Sequence, residues 1–231
     1  MPLLYACSSN AGKLREFTAQ LASHRSFEAQ RARLRAAKQG GTPADIRAER
    51  LTPSPSCARF FDVQPLPGLA QLHPPQEDGA TYEENAVLKA LYYSRFSEEL
   101  VFADDSGLEV DALAGAPGIH SARFAGPLSS GAQNNALLLS KLSAASNRSA
   151  RFVTAISLAR QGKILQTTRG TAAGEILSEP RGSLGFGYDA LFLFPPLGKT
   201  FAELDEAEKF GVSARGEAFR RLLAWLAADG T

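Results

Sequence analysis

Cysteine and histidine are scarce in this 231-residue chain, and the scarcity removes several classes of chemistry. Two cysteines, Cys7 and Cys57, are too few for a disulfide framework or a Cys-rich zinc site, and they suit a reducing compartment. The three histidines, His24, His73 and His120, are scattered, with no metal-ligand spacing among them. Long apolar runs are missing: none approaches the roughly 18 residues of a membrane-spanning helix, and no charged region precedes the short apolar stretch at the start. The expectation is a cytoplasmic protein. An excess of one charge is missing too, with 25 Lys and Arg against 24 Asp and Glu and a net charge of +1. That balance argues against a broad surface for nucleic acid or an anionic membrane, so any anion has to be bound by a local group of residues.

The most informative segment present is Val101 to Gly107, Val-Phe-Ala-Asp-Asp-Ser-Gly, an apolar run closed by two carboxylates, a hydroxyl and a glycine. It reads as a buried strand leaving a sheet, the end at which open α/β folds place their chemistry. Asp104 and Asp105 then line a site. Successive strand side chains point to opposite faces, so both could reach one cleft only where the chain bends. The plainer alternative is a strand terminus with an Asx turn.

At the N-terminus Leu3 to Cys7 reads as a short strand, and Lys13 to Leu21 carries Leu14, Phe17 and Leu21 at helical spacing. The joining turn, Ser8-Ser9-Asn10-Ala11-Gly12, places free amides of a helix start beside Lys13, a favourable setting for a phosphate. It lacks the spacing of a Walker A loop, and taken alone Ser-Ser-Asn is more often just a helix cap. From about 30 to 75 the chain is rich in Arg, Gly and Pro with weak periodicity, which reads as a surface insertion; a basic arm for nucleic acid would need a module signature that is missing.

Thr81 and Glu84 form a capping box for a helix reaching about Phe96, with Tyr82, Ala86, Ala90 and Tyr93 on one stripe. Lys89 on that helix is either paired with Glu84 or a neighbour, or a phosphate ligand; Glu77, ahead of the helix, is free to face a cleft. A helix from about Gln133 to Leu142, two β-type runs (Arg151 to Leu158 and Ile164 to Thr171) meeting at Gln161-Gly162, and a strand from Ala190 to Phe194 follow. Gly185-Phe186-Gly187-Tyr188-Asp189 ahead of that last strand suits close backbone approach to a ligand with an aromatic ring stacked on it, and a flexible hairpin loop explains it equally well. Two helices close the chain, one from Phe201 to Phe210 and one capped by Ser213 with Phe219, Leu222, Leu223 and Leu226 on its core face.

In this order the segments resemble the inosine triphosphate pyrophosphatases, the Ham1-like family. Ser8 to Lys13 resembles its phosphate loop, Glu77 and Gly79 with Glu84-Asn85-Ala86 and Lys89-Ala90 its acidic turn and helix, and Ala103 to Leu108 with Gly115 to Gly118 and Ser121 to Arg123 its central signature. Gly185 to Asp189 is similar to its base-binding loop, and Glu208-Lys209 and Ser213-Ala214-Arg215-Gly216 to its C-terminal element, with Ala214 where the family usually has His. The resemblance implies an elongated α/β fold, a long mixed β-sheet with flanking helices and two lobes around a central cleft, as one domain over 1–231 and usually a homodimer. It implies Mg2+-dependent hydrolysis of ITP, dITP and XTP to the monophosphate and pyrophosphate. Residue by residue it implies Asp105 as proton acceptor, Glu77 and Asp105 as metal ligands, and substrate contacts from Ser8, Ser9, Asn10, Lys13, Lys89, Ser106, Phe186, Gly187, Tyr188, Asp189, Lys209 and Arg215. Two other classes stay open: a phosphohydrolase with a covalent aspartyl-phosphate, and a catalytically impaired nucleotide-binding protein.

Overall fold

The computed structural model describes residues 3–8, 10, 12–17 and 61–229. Among these, seven strands form one mixed sheet: β1 (Leu3–Ala6), β2 (Asp62–Pro65), β3 (Leu100–Val110), β4 (Ser149–Arg160), β5 (Lys163–Ile176), β6 (Phe192–Phe194) and β7 (Lys199–Thr200). Their spatial order is β2-β1-β3-β4-β5-β6-β7, with β1 parallel to both neighbours and every later pairing antiparallel. The helices are α1 (residues 12–17), α2 (Tyr82–Tyr93), α3 (Gly131–Lys141), α4 (Glu206–Val212) and α5 (Ala214–Asp229).

β3 organises the sheet, and it does not end where the sequence suggested. It pairs with β4 without interruption from Val101 opposite Ala159 to Val110 opposite Ala150, so Asp104 and Asp105 lie in mid-strand. Gly107 marks a close approach rather than a turn: a Cβ there would stand 2.2 Å from the Gly118 carbonyl oxygen and 2.7 Å from Ser121 Oγ. The strand that does end at the site is β1. Its last ladder partner on β3 is Phe102, opposite Ala6, and the next pairing along that edge of β3 is the bridge from Glu109 to Pro117, so no strand pairs there with the stretch that carries Asp104 and Asp105.

Alternation along β3 and β4 then builds the cleft. On one face, Leu100, Phe102, Ile156 and Leu158 join Leu4, Phe17, Phe219 and Leu222 in one apolar cluster. Further along the same face, Leu108, Val110 and Ala150 join Leu138, Leu142, Phe192 and Phe201 in a second. Between the two clusters the same strands present Asp104, Ser106 and Thr154, which line the cleft. On the opposite face α2 covers the sheet through Tyr82, Ala86, Ala90 and Tyr93, packed on Val101, Ala103, Val153 and Ala155. The expected long mixed sheet with flanking helices and a central cleft is therefore present.

Other boundaries moved for local reasons. Phe201–Glu203 is a 3-10 turn, and α4 starts only at Glu206 because Asp205 caps it, accepting the Glu208 amide at 2.8 Å. Of the segment read as a surface insertion, 30–60 lie outside the described residues; in 61–75, Phe61, Val63 and Leu66 are buried around edge strand β2 while 67–75 are exposed or half-buried. The Gln161-Gly162 hairpin holds, both residues having the positive φ (49° and 75°) that a tight right-twisted hairpin demands.

α5 lies directly on β5 at Gly170, where a Cβ would meet the Ala214 carbonyl oxygen at 2.2 Å and the Ala218 nitrogen at 2.6 Å. Both contacts are backbone, which cannot swing aside. Gly170→Ala should therefore cost about 2 kcal/mol, more than Gly162→Ala at about 1 kcal/mol, where φ is positive but space is open. Urea unfolding of the two variants beside the parent checks the ranking; equal midpoints would refute the close approach.

Candidate active site

The cleft holds about 470 Å3, within the size range of small-molecule sites. Because β3 stays regular, Asp104 and Asp105 point to opposite faces, and both reach the cleft because β1 has stopped. Each carboxylate sits in its own electrostatic setting.

Asp104 belongs to a buried chain of alternating charges. Its Oδ2 meets Lys13 Nζ at 3.0 Å and Arg215 Nε at 3.3 Å. Arg215 also donates to Ser106 Oγ at 3.1 Å and pairs with Glu16. Glu16 continues to Lys209 Nζ at 2.6 Å, and Lys209 to Asp189 Oδ2 at 2.5 Å. Burial alone would raise the Asp104 pKa, but Lys13 and Arg215 outweigh it and hold the carboxyl at about 2. Glu16 is held below the ordinary Glu value in the same way, its burial outweighed by Arg215 and Lys209. Asp104 Oδ1 is buried without a hydrogen-bond partner.

Asp105 faces α2. Its Oδ1 lies 2.9 Å from Lys89 Nζ, and Glu77 Oε2 lies 3.2 Å from the same nitrogen, so the two carboxylates converge on one point where a cation already stands. Here burial prevails, and the Asp105 pKa lies above the ordinary Asp value despite Lys89. Lys89 is pushed the other way from what burial dictates: Asp105, Asp104 and Glu77 raise it above the usual Lys value. Glu84, the alternative partner for Lys89, is engaged instead by the Ala80 N–H at 2.6 Å.

The glycine-rich loop forms another wall. Asp189 Oδ2 accepts the Phe186 N–H at 2.7 Å while Gly185, at φ 74°, makes the turn. The Phe186 ring packs on Gly12, where a Cβ would be 2.6 Å from it, and lies 4.5 Å from Lys209 Nζ and 5.7 Å from Arg215 Cζ. Tyr188 turns inward: its ring joins the second apolar cluster and its hydroxyl donates to the Ser121 carbonyl at 2.8 Å. Gly187 accepts Asn135 Nδ2 at 3.1 Å. Asn10 caps α1 by accepting the Gly12 amide at 2.9 Å and the Lys13 amide at 3.3 Å, and Ser8 Oγ accepts the Asn10 N–H at 3.2 Å. Ser9 lies outside the described residues.

The fold thus brings to one cleft Ser8, Asn10, Lys13, Glu77, Lys89, Asp105, Ser106, Phe186, Gly187, Tyr188, Asp189, Lys209 and Arg215. Sequence reasoning passed over Glu16 and gave Asn85 no role beyond its place in the Glu84-Asn85-Ala86 motif. Both carried a positional signal, since Glu16 is one turn after Lys13 and Asn85 one turn before Lys89 on the same helix face. Ala214 is buried at the start of α5 beside Arg215 and supplies no polar group to the wall.

No group of three or more His, Cys, Asp or Glu suited to a metal occurs among the described residues. A two-carboxylate donor set still fits a hard divalent cation such as Mg2+, which keeps several waters and takes its remaining oxygens from substrate phosphates. No helix among the described residues is long and apolar enough to cross a membrane.

Known proteins share the sequence and the fold. A protein named dITP/XTP pyrophosphatase from Acidobacterium capsulatum is 42% identical over 232 residues, covering 96% of this chain and 97% of its own. Another of the same name, from an Exiguobacterium species, is 52% identical over 164 residues, 71% of this chain and 84% of its own. The solved Ham1 proteins of Staphylococcus aureus and Coxiella burnetii superpose with TM-scores of 0.73 and 0.74 at 32% and 31% identity, each over at least 98% of both chains. The Ham1 family model spans residues 4–225, from β1 through the alternating charges at the cleft to α5, and the chain belongs to that family.

Proposed function

We propose that this protein hydrolyses the deaminated purine nucleoside triphosphates ITP, dITP and XTP to the monophosphate and pyrophosphate, removing them from the nucleotide pool. One observation carries the reading: Glu77 and Asp105 converge on a single cationic point in a cleft whose other wall is an aromatic ring backed by Lys209 and Arg215. Phosphates belong at the first place and a purine at the second. The relatives' name, dITP/XTP pyrophosphatase, supports two of these substrates. A homodimer in the cytoplasm is the setting that the family resemblance implies.

In this reading Glu77 and Asp105 hold Mg2+, which when bound neutralises phosphate oxygens and eases attack on phosphorus. Lys13, Lys89, Ser8, Asn10 and Ser106 bind and orient the triphosphate, the cations offsetting its charge. Asp105 accepts the proton of the attacking water as the new P–O bond forms and the linkage between α- and β-phosphoryl groups breaks, with pyrophosphate leaving. The burial that raises the Asp105 pKa also strengthens it as a base. Phe186 stacks on the base while Lys209 and Arg215, held in place by Glu16, Asp104 and Asp189, contact the base or its sugar and phosphates.

Pyrophosphate release across natural and deaminated triphosphates tests the substrate class directly; turnover of ATP equal to that of ITP would refute it. Asp105→Asn, nearly isosteric, should lower kcat about 1,000-fold with the fold intact, and near-normal kcat at saturating Mg2+ would sink the assignment. Phe186→Ala should raise the KM for ITP about tenfold with a smaller change in kcat, because stacking on one base contributes roughly 1–3 kcal/mol. Unchanged KM would remove Phe186 from the base site.

A further inference from the structure

Asn85 is 2% exposed and lies one turn before Lys89 on α2, and both ends of its carboxamide are used. Oδ1 accepts the backbone N–H of Gly79 at 2.9 Å, and Nδ2 donates to Asp105 Oδ2 at 3.4 Å. The assignment of oxygen and nitrogen is forced by the neighbours: an amide N–H must face an acceptor, and an ionised carboxylate must face a donor. Only one orientation satisfies both.

Gly79 is two residues beyond Glu77, so Asn85 ties the turn that carries Glu77 to the strand that carries Asp105. The tie is tight. A Cβ on Gly79 would stand 2.8 Å from Asn85 Oδ1 and 2.7 Å from Glu84 Cβ, leaving the turn no room to shift on the head of the helix. The same amide fixes the plane of the Asp105 carboxylate, with Oδ2 toward Asn85 and Oδ1 toward Lys89 and Glu77.

We infer that Asn85 is a positioning residue that sets both the separation of Glu77 and Asp105 and the rotation of the Asp105 carboxylate, and so the affinity of the pair for a divalent cation. The inference rests on the reading of Glu77 and Asp105 as that cation's ligands. An apolar side chain of similar size would fill the space but leave the Gly79 amide unpaired, and an aspartate would turn a donor into a third negative charge. Asparagine alone among near-isosteres meets both neighbours.

The test is Mn2+ binding, read by electron paramagnetic resonance, to the full chain saturated with the α,β-methylene analogue of ITP. Asn85→Ala should weaken Mn2+ about 10- to 100-fold, the usual effect of removing a group that orients a metal ligand, and should lower kcat for ITP more than it raises KM. Gly79→Ala, which presses on the same carboxamide from outside the helix, should weaken Mn2+ in the same direction and decides the question if Asn85→Ala fails to fold. Glu77→Gln is the reference. If it leaves Mn2+ binding unchanged, the ligand reading itself is wrong and the inference falls with it. If it weakens binding while folded Asn85→Ala, or Gly79→Ala in its place, binds Mn2+ as the parent does, Asn85 is only a structural tie and the inference is overturned.

Discussion

Asp104 held between Lys13 and Arg215 is the interaction on which the rest of the site depends. A carboxylate buried to this degree would be costly if unpaired, and the cations that satisfy it come from α1 and α5, elements far apart in sequence. Arg215 then needs Glu16, Glu16 reaches Lys209, and Lys209 reaches the loop carrying Phe186. Removing Asp104 strips Lys13 of its carboxylate, and removing Glu16 takes one partner from both Arg215 and Lys209, so the network fixes where α1, β3, α4, α5 and the aromatic loop stand relative to one another. Specific placement follows from it more than net stability does, because buried pairs return little beyond their desolvation cost.

The second carboxylate behaves differently because its surroundings do. Asp105 has one ammonium group and a neutral amide rather than two full cations in contact, and burial raises its pKa where that of Asp104 is lowered. Two adjacent residues of one type are thereby held differently: one is a fixed anion within the scaffold, and the other is the one to which the proposed mechanism gives the proton transfer.

Much of this was legible in the residues. The helix caps, the hairpin glycine and the apolar stripe on α2 follow from local chemistry, and the motif order pointed to the fold. The strand end at Gly107 was misread because a glycine admitting a neighbouring carbonyl looks the same in sequence as one making a turn. The helix at Phe201 was misplaced because the Asp205 cap competes with the apolar spacing before it. Tyr188 sits within a motif that resembles a base-binding loop, yet its hydroxyl is committed to the Ser121 carbonyl. Glu16 was passed over, and Asn85 given no role of its own, for a different reason: each acts by joining groups from other parts of the chain, and no local pattern encodes the distant partner.

That Asp104 and Asp105 divide their work by facing opposite sides of one strand makes the site a matter of register. A slip of one residue between β3 and β4 would exchange the two faces, placing Asp105 among the cations and Asp104 beside Lys89. The ladder is uninterrupted opposite both aspartates, and its one irregularity lies on the far side of β4, between Leu158 and Ala159 in the pairing with β5. The chain can therefore absorb an extra residue at the hairpin without disturbing the aspartates, whereas a single inserted or deleted residue between Val101 and Asp104 would invert the site while leaving its composition unchanged.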